Sequence, residues 1–211
     1  MSARYLCLLL CLACGAPEPE AIREVQLITG ELRYQADLKR LTLELVLPDS
    51  TTRPPLFLGR LMEPRRSLPD RRFSGERRGA LPDTLTFTVM DDALAATFAP
   101  QLRPVYVDSI PDTLRRGATV SFVTAAGGLA ENENLDIYFR PRQGGDTRRI
   151  LFTGPTRQGA VTIAPTILAD VEPGAYVVYL VRHQPYRGQE GYVKVSVRTE
   201  YISAPRPVII E

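Results

Sequence analysis

The chain has no tryptophan and a single histidine, His183. Its three cysteines, Cys7, Cys11 and Cys14, all fall within the first fourteen of 211 residues. Beyond Cys14 there is therefore no disulfide, no thiolate nucleophile and no cysteine-based metal site, and one histidine cannot build a histidine-based zinc site. No G-x-S-x-G elbow is present for a serine nucleophile, and no glycine-rich loop has the spacing of a phosphate cradle. An excess of one charge is also lacking. The formal net charge is +2, so no global field points to nucleic acid or to an anionic membrane surface. Lysine is confined to Lys39 and Lys194, and the other basic residues are arginines. What the chain does have is proline (18) and glycine (15), too many for long helices, within an ordinary globular composition of 44% hydrophobic and 24% charged residues.

The first segment, MSARYLCLLLCLAC, places Arg4 ahead of an uncharged apolar run from Tyr5 to Ala13. That run is about half the ~20 residues a membrane-spanning helix needs; a short apolar core behind a positive end is the pattern of a secretory signal peptide. It closes on Leu12-Ala13-Cys14-Gly15. This resembles the lipobox of bacterial lipoproteins, with Ala13 at −1, Leu12 at −2 and, where that family usually has leucine, Cys11 at −3. The resemblance implies cleavage before Cys14, acylation of Cys14, and anchoring to a membrane through several acyl chains, which hold where one chain does not. The plainer alternative is an ordinary signal peptide with incidental cysteines. Loss of residues 1–13 removes only Arg4 and leaves the side-chain charge close to neutral. Residues 14–21, with Pro17, Pro19, Glu18 and Glu20, form a short extended tether.

From Ile22 onward short apolar runs alternate with period two: 25–28, 41–47, 85–89, 119–123, 135–139, 175–181 and 192–197. β-Branched and aromatic residues fill them, and Gly, Pro, Asp and Asn separate them, so the pattern predicts an all-β chain of many short strands. One helical turn is expected at Asp91–Ala96. The length and the proline-bearing stretch at 100–108 divide the body into β-sandwich domains at 22–104 and 105–211. The expected core of the second is Ile110, Val120, Phe122, Ile137, Phe139, Val161, Ile163, Tyr176 and Val178. Residues 168–180, LADVEPGAYVVYL, resemble the E–F corner of immunoglobulin-like domains, where a tyrosine hydroxyl bonds back to a turn. Asp170, Gly174 and Tyr176 take those positions. The resemblance implies two tandem immunoglobulin-like β-sandwich domains after a lipoprotein signal peptide. With GLAENENLDIYF and the closing TEYISAPRPVII, the chain is similar to a type of uncharacterised Bacteroidetes lipoprotein, a likeness that implies compartment and fold and assigns no catalytic residue.

Candidate contact residues fall in two places. Arg182, His183, Tyr186 and Arg187 are expected on a loop after strand F, at the end of the sandwich where such folds read ligands. Three arginine pairs, Arg65-Arg66, Arg71-Arg72 and Arg77-Arg78, stand six residues apart in an expected loop, and arginine forks suit carboxylate or phosphate. Glu63, Asp70 and Glu76 precede the pairs, which equally suits a self-neutralising solvated loop. The run from Glu131 to Asp136 has oxygen ligands at alternate positions, as calcium sites do, but lacks the EF-hand spacing, and Asp136 should point away from the core. Tyr186, Tyr192 and Tyr201 suit either a glycan platform or the edge of the core. Asp91-Asp92 are adjacent, and a glycosidase needs its carboxyls about 5–9.5 Å apart across a cleft. The function expected is that of an exported, lipid-anchored envelope protein at the outer membrane. Its role is structural or partner-binding, without catalysis, cofactor, metal or nucleic acid. A carbohydrate-binding module or accessory subunit of a surface glycan system, and a carboxylate-dependent hydrolase, are the alternatives.

Overall fold

The computed structural model describes residues 24–49, 51, 53–65, 71–91, 94–125, 127–156 and 159–211. The signal segment, Cys14, the tether, Arg66, Asp70 and Asp92 lie outside them. The first half holds β1 (Gln26–Gln35), β2 (Arg40–Leu47), β3 (Leu56–Phe57), β4 (Arg60–Leu61), β5 (Glu63–Arg65), β6 (Arg71–Arg78), β7 (Phe87–Met90) and β8 (Ala95–Phe98). The second holds β9 (Thr113–Leu114), β10 (Val120–Val123), β11 (Asn134–Pro141), β12 (Arg148–Thr153), β13 (Ala160–Ile163), α1 (Pro165–Ala169), β14 (Gly174–Glu190), β15 (Val193–Ile202) and β16 (Arg206–Ile210). The fold is all-β, with one five-residue helix among the described residues.

The described residues form three sheets. The largest runs β12-β11-β14-β15-β1-β2-β6-β5, with β16 added beside β14 and β9 beside β16; the others are β4-β3-β7-β8 and β10-β13. Strand alternation explains their stability. Leu41, Leu43, Leu45 and Leu47 of β2, Val193, Val195 and Val197 of β15, and Leu135, Ile137 and Phe139 of β11 all leave water on one face. They join Phe57, Phe87, Val89 and Phe98 of the four-stranded sheet and Val120, Phe122, Val161 and Ile163 of the two-stranded one in a single apolar cluster. All nine residues expected in the core of 105–211 are buried.

β14 links the two halves. Its first residues lie between β11 and β16, with Tyr176 opposite both Pro141 and Val208. Past His183 it continues to Glu190 paired with β15 alone. Gly191, at φ +57, opens the turn into β15, and β15 then runs parallel to β1 from Gln26↔Val193 to Gln35↔Ile202. The β1–β15 ladder thus crosses the boundary expected near residue 104. Gly30 permits the close β1–β2 approach, since a Cβ there would sit 2.3 Å from the Glu44 carbonyl oxygen.

Two local expectations are corrected. The helical turn expected at Asp91–Ala96 is not formed by its described residues: Ala95 and Ala96 belong to β8, because Ala96 and Phe98 alternate into the core. The stretch carrying Arg71, Arg72, Arg77 and Arg78, expected as a loop, is β6, where Phe73 supplies the buried anchor and β2 pairs along its whole length.

Candidate functional site

The arginine–histidine–tyrosine group was expected on a loop, and it is in the middle of β14. Successive side chains of a strand point to opposite faces, so Arg182, His183, Tyr186 and Arg187 do not converge on one surface. Arg182 faces the core, 3% exposed. Its guanidinium is bonded to the Glu133 carboxylate and, at 3.2 Å, to the Gly128 carbonyl. Glu133 is itself fully buried. It also accepts the Ala130 N–H at 2.9 Å and has Arg103 3.6 Å away. Tyr186 is partly buried against the core, its hydroxyl accepting the Ala99 N–H at 3.3 Å. Arg187 is exposed on the opposite face.

His183 turns to the face away from the core, and there the largest sheet carries a ladder of charges across five neighbouring strands. In strand order these are Arg149 on β12, Asp136 on β11, His183 on β14, Glu200 on β15 and Arg33 on β1. Arg149 donates two bonds to Asp136, at 2.7 and 2.9 Å. His183 Nε2 lies 2.8 Å from Asp136 Oδ2, and Nδ1 lies 3.2 Å from Glu200 Oε1. Arg33 Nε donates to Glu200 at 2.8 Å, and Arg198 stands 3.1 Å from the same carboxylate. Glu31 pairs with Arg33 and Arg198 at the end of the row. Asp136 does point away from the core, but it is fully buried beneath these neighbours rather than open to a calcium ion.

The electrostatics follow the geometry. The Glu200 carboxylate holds the His183 imidazole above its ordinary value against the opposing effect of burial, and Asp136 adds to the rise. Burial pushes Glu200 upward, but hydrogen bonds from His183 and Arg33 outweigh it and bring its carboxyl down to about 2. Glu31 is raised by burial and by the neighbouring Glu200. The His183 imidazole thus spans β11 and β15, with Nε2 within hydrogen-bond distance of Asp136 and Nδ1 facing Glu200, and both carboxylates favour its protonated form.

The other expected residues have separate places. Arg71 bonds the Asp49 carbonyl at 3.3 Å and the Thr51 carbonyl, with its guanidinium 5.9 Å from the Phe73 ring centroid. Arg72 and Arg78 project from β6 on the face opposite Arg71 and Arg77, Arg78 pairing with Glu76 at 3.2 Å. Arg65 faces Glu44 at 3.2 Å. Asp91 accepts the Leu94 N–H at 3.0 Å and bonds the Tyr192 hydroxyl, which binds a turn rather than a substrate. Tyr201 packs against Tyr34, with ring centroids 5.4 Å apart. At the corner the Tyr176 hydroxyl donates to the Glu172 carbonyl at 2.8 Å, and Gly174 lies at φ +152. Asp170 takes no part in that bond. It caps α1 and lies 3.8 Å from Arg148. Among the described residues no group of three or more His, Cys, Asp and Glu side chains is placed to hold a metal ion.

Sequence reasoning missed the ladder because its members come from five strands whose register is non-local. The one local signal was a charged residue at the solvent-facing position of each otherwise apolar strand. No protein-family model matches this chain, and no curated protein matches it.

Proposed function

We propose that the chain is an exported, lipid-anchored protein of the bacterial envelope, placed at the outer membrane, with a structural or partner-binding role rather than a catalytic one. The observation that carries this is the Leu12-Ala13-Cys14-Gly15 sequence closing a short apolar run behind Arg4. Gly15 rather than aspartate follows the cysteine, which supports passage to the outer membrane. Residues 15–25 between Cys14 and β1, fully extended, reach at most about 40 Å, enough to lift the sheets off a bilayer surface. A non-catalytic role is supported by His183, the one histidine, whose ring nitrogens both face carboxylates. Two tandem immunoglobulin-like sandwiches are the finer fold we infer. The Tyr176 corner, the β10–β13 pair and the parallel β9–β16 pairing support it for 105–211, while β15 lends the first half a strand.

The test is intact-mass spectrometry and membrane fractionation of the natively expressed protein beside Cys14→Ala. Acyl mass on the wild type, lost together with membrane retention in the variant, is the expected result. A soluble, unacylated wild-type chain would overturn the anchor.

A further inference from the structure

Among the described residues the sheet edge at β6 is only half covered. β5 pairs with β6 at Arg72, Phe73 and Ser74 and goes no further, while β2 pairs with β6 on its other side as far as Arg78. Pro64, opposite Phe73, has no N–H to give, so Phe73 and Pro64 form a non-hydrogen-bonded pair. The backbone groups of Arg72 and Ser74 are then the ones turned toward β5. Alternation carries the same outward orientation on to Glu76 and Arg78, whose N–H and C=O groups face the uncovered edge.

This edge has a wall opposite it. The β3–β4 hairpin stands across a groove of about 700 Å³ lined by Phe57, Leu58, Arg60 and Leu61 on one side and by Ser74 to Arg78 on the other. The Phe57 ring closes the floor over Gly75, where a Cβ would meet it at 2.8 Å. Leu61 is 66% exposed beside it. The tip of the hairpin is Leu58-Gly59, with Leu58 at φ +49. A leucine rarely adopts that conformation, which ordinarily falls to Asn or Gly in such a two-residue turn. Leu58 is half-buried, its N–H bonded to the Thr86 carbonyl at 3.0 Å and its side chain packed against the core beside the groove.

The charges of the groove are uneven in a way that selects a ligand. Arg60, Arg65, Arg77 and Arg78 line it with Glu44, Glu63 and Glu76; Arg65 pairs with Glu44 and Arg78 with Glu76. Arg60 and Arg77 have no acidic partner among the described residues, and they flank the open edge from its two walls. Among the described residues the outer edge of β12 is also unpaired, but its arginines Arg148 and Arg149 already meet Asp170 and Asp136.

We propose that the open edge of β6 at Glu76–Arg78 and the groove beside it take an extended acidic segment of a partner protein as an added strand. Its backbone would pair with Glu76 and Arg78, the carboxylates on its groove-facing side would meet Arg60 and Arg77, and its alternate side chains would turn to the opposite face. This names a partner class for the partner-binding role above and rests on that role, but not on the lipid anchor, whose fractionation test is separate.

The experiment titrates the full chain into a fluorescein-labelled, end-blocked eight-residue peptide alternating glutamate and valine, and follows anisotropy. Saturable binding is expected. It should weaken at least about tenfold in the Arg60→Glu/Arg77→Glu variant, by like-charge repulsion, and by a similar factor when alternate peptide amides are N-methylated. A lysine–valine peptide should not bind. Both arginines are exposed, so the variant should keep the wild-type urea midpoint, which is measured alongside. Absence of saturable binding, equal affinity in the charge-reversed variant, or indifference to N-methylation would each overturn the proposal. So would a groove that binds an acidic oligosaccharide such as hexagalacturonate in place of the peptide.

Discussion

Arg182 offers the sharpest test of the physical account, because its strand position makes it a core residue rather than a contact residue. Its guanidinium and the Glu133 carboxylate are 2% and 1% exposed, respectively. Arg182→Met removes the positive partner and leaves Glu133 with the Ala130 N–H and the more distant Arg103. An uncompensated buried charge of this kind costs about 3–5 kcal/mol. For a chain of this size that lowers the unfolding midpoint by roughly 10 °C. Glu133→Gln strands the guanidinium instead, and the Gly128 carbonyl at 3.2 Å offsets part of that loss. The double variant Arg182→Met/Glu133→Gln has no buried charge and keeps an acceptor for Ala130. It should be more stable than the sum of the two single losses by about 2–3 kcal/mol, a coupling of the size contacting residues show. Urea unfolding followed by far-UV circular dichroism measures all four proteins, and tyrosine fluorescence provides a second probe in a chain without tryptophan. A loss below about 1 kcal/mol in Arg182→Met, or strict additivity of the two substitutions, would refute the account and return Arg182 to the surface.

Tyr176→Phe should cost about 1 kcal/mol by leaving the Glu172 carbonyl without its donor; an unchanged urea midpoint would mean that water replaces the hydroxyl freely. The charge ladder also predicts a pH profile. The raised pKa of His183 makes its contribution fully present below the ordinary value of 6.5, and that contribution is lost as pH rises through the folded value. Glu200, lowered to about 2, contributes above its ordinary value of 4.5, and that stability is lost as pH falls toward 2. Glu31, raised by burial and Glu200, contributes fully below its ordinary value of 4.5, and that contribution is lost as pH rises from there through its folded value. Asp136, Arg149, Arg33 and Arg198 complete the set of charges around the imidazole and Glu200. Glu200 and His183 together place the greatest stability between about 4.5 and 6.5, and Glu31 tilts that range downward as pH rises. His183→Gln should flatten the alkaline decline, and a variant profile parallel to that of the wild type would exclude His183 as its source.

Much of the fold was legible in the residues themselves. Period-two alternation, β-branched content and turn residues located β2, β7, β10, β11, β14 and β15, and the core around Ile137, Phe139 and Val178. Alternation is a local property, and burial on one face of a sheet requires it. Tyr176, two residues past Gly174, was legible for the same reason: the corner closes within the chain's own next turn.

The tertiary structure decided the rest. The pairing of β1 with β15 joins residues far apart in the chain, Arg33 and Glu200 among them. Its parallel register depends on where the β14–β15 hairpin reaches, which no local window contains. That register builds the ladder from Arg149 to Arg33 and converts His183 from a loop residue into a bridge between two carboxylates. One position along the same strand, Arg182 turns to the opposite face, where Glu133, brought in ahead of β11, and the Gly128 carbonyl make its burial tolerable. The open edge of β6 arises in the same way, since it depends on how far β5 extends before the chain turns away. Side-chain alternation belongs to the sequence, whereas strand partners and register are settled by backbone hydrogen bonds between distant segments.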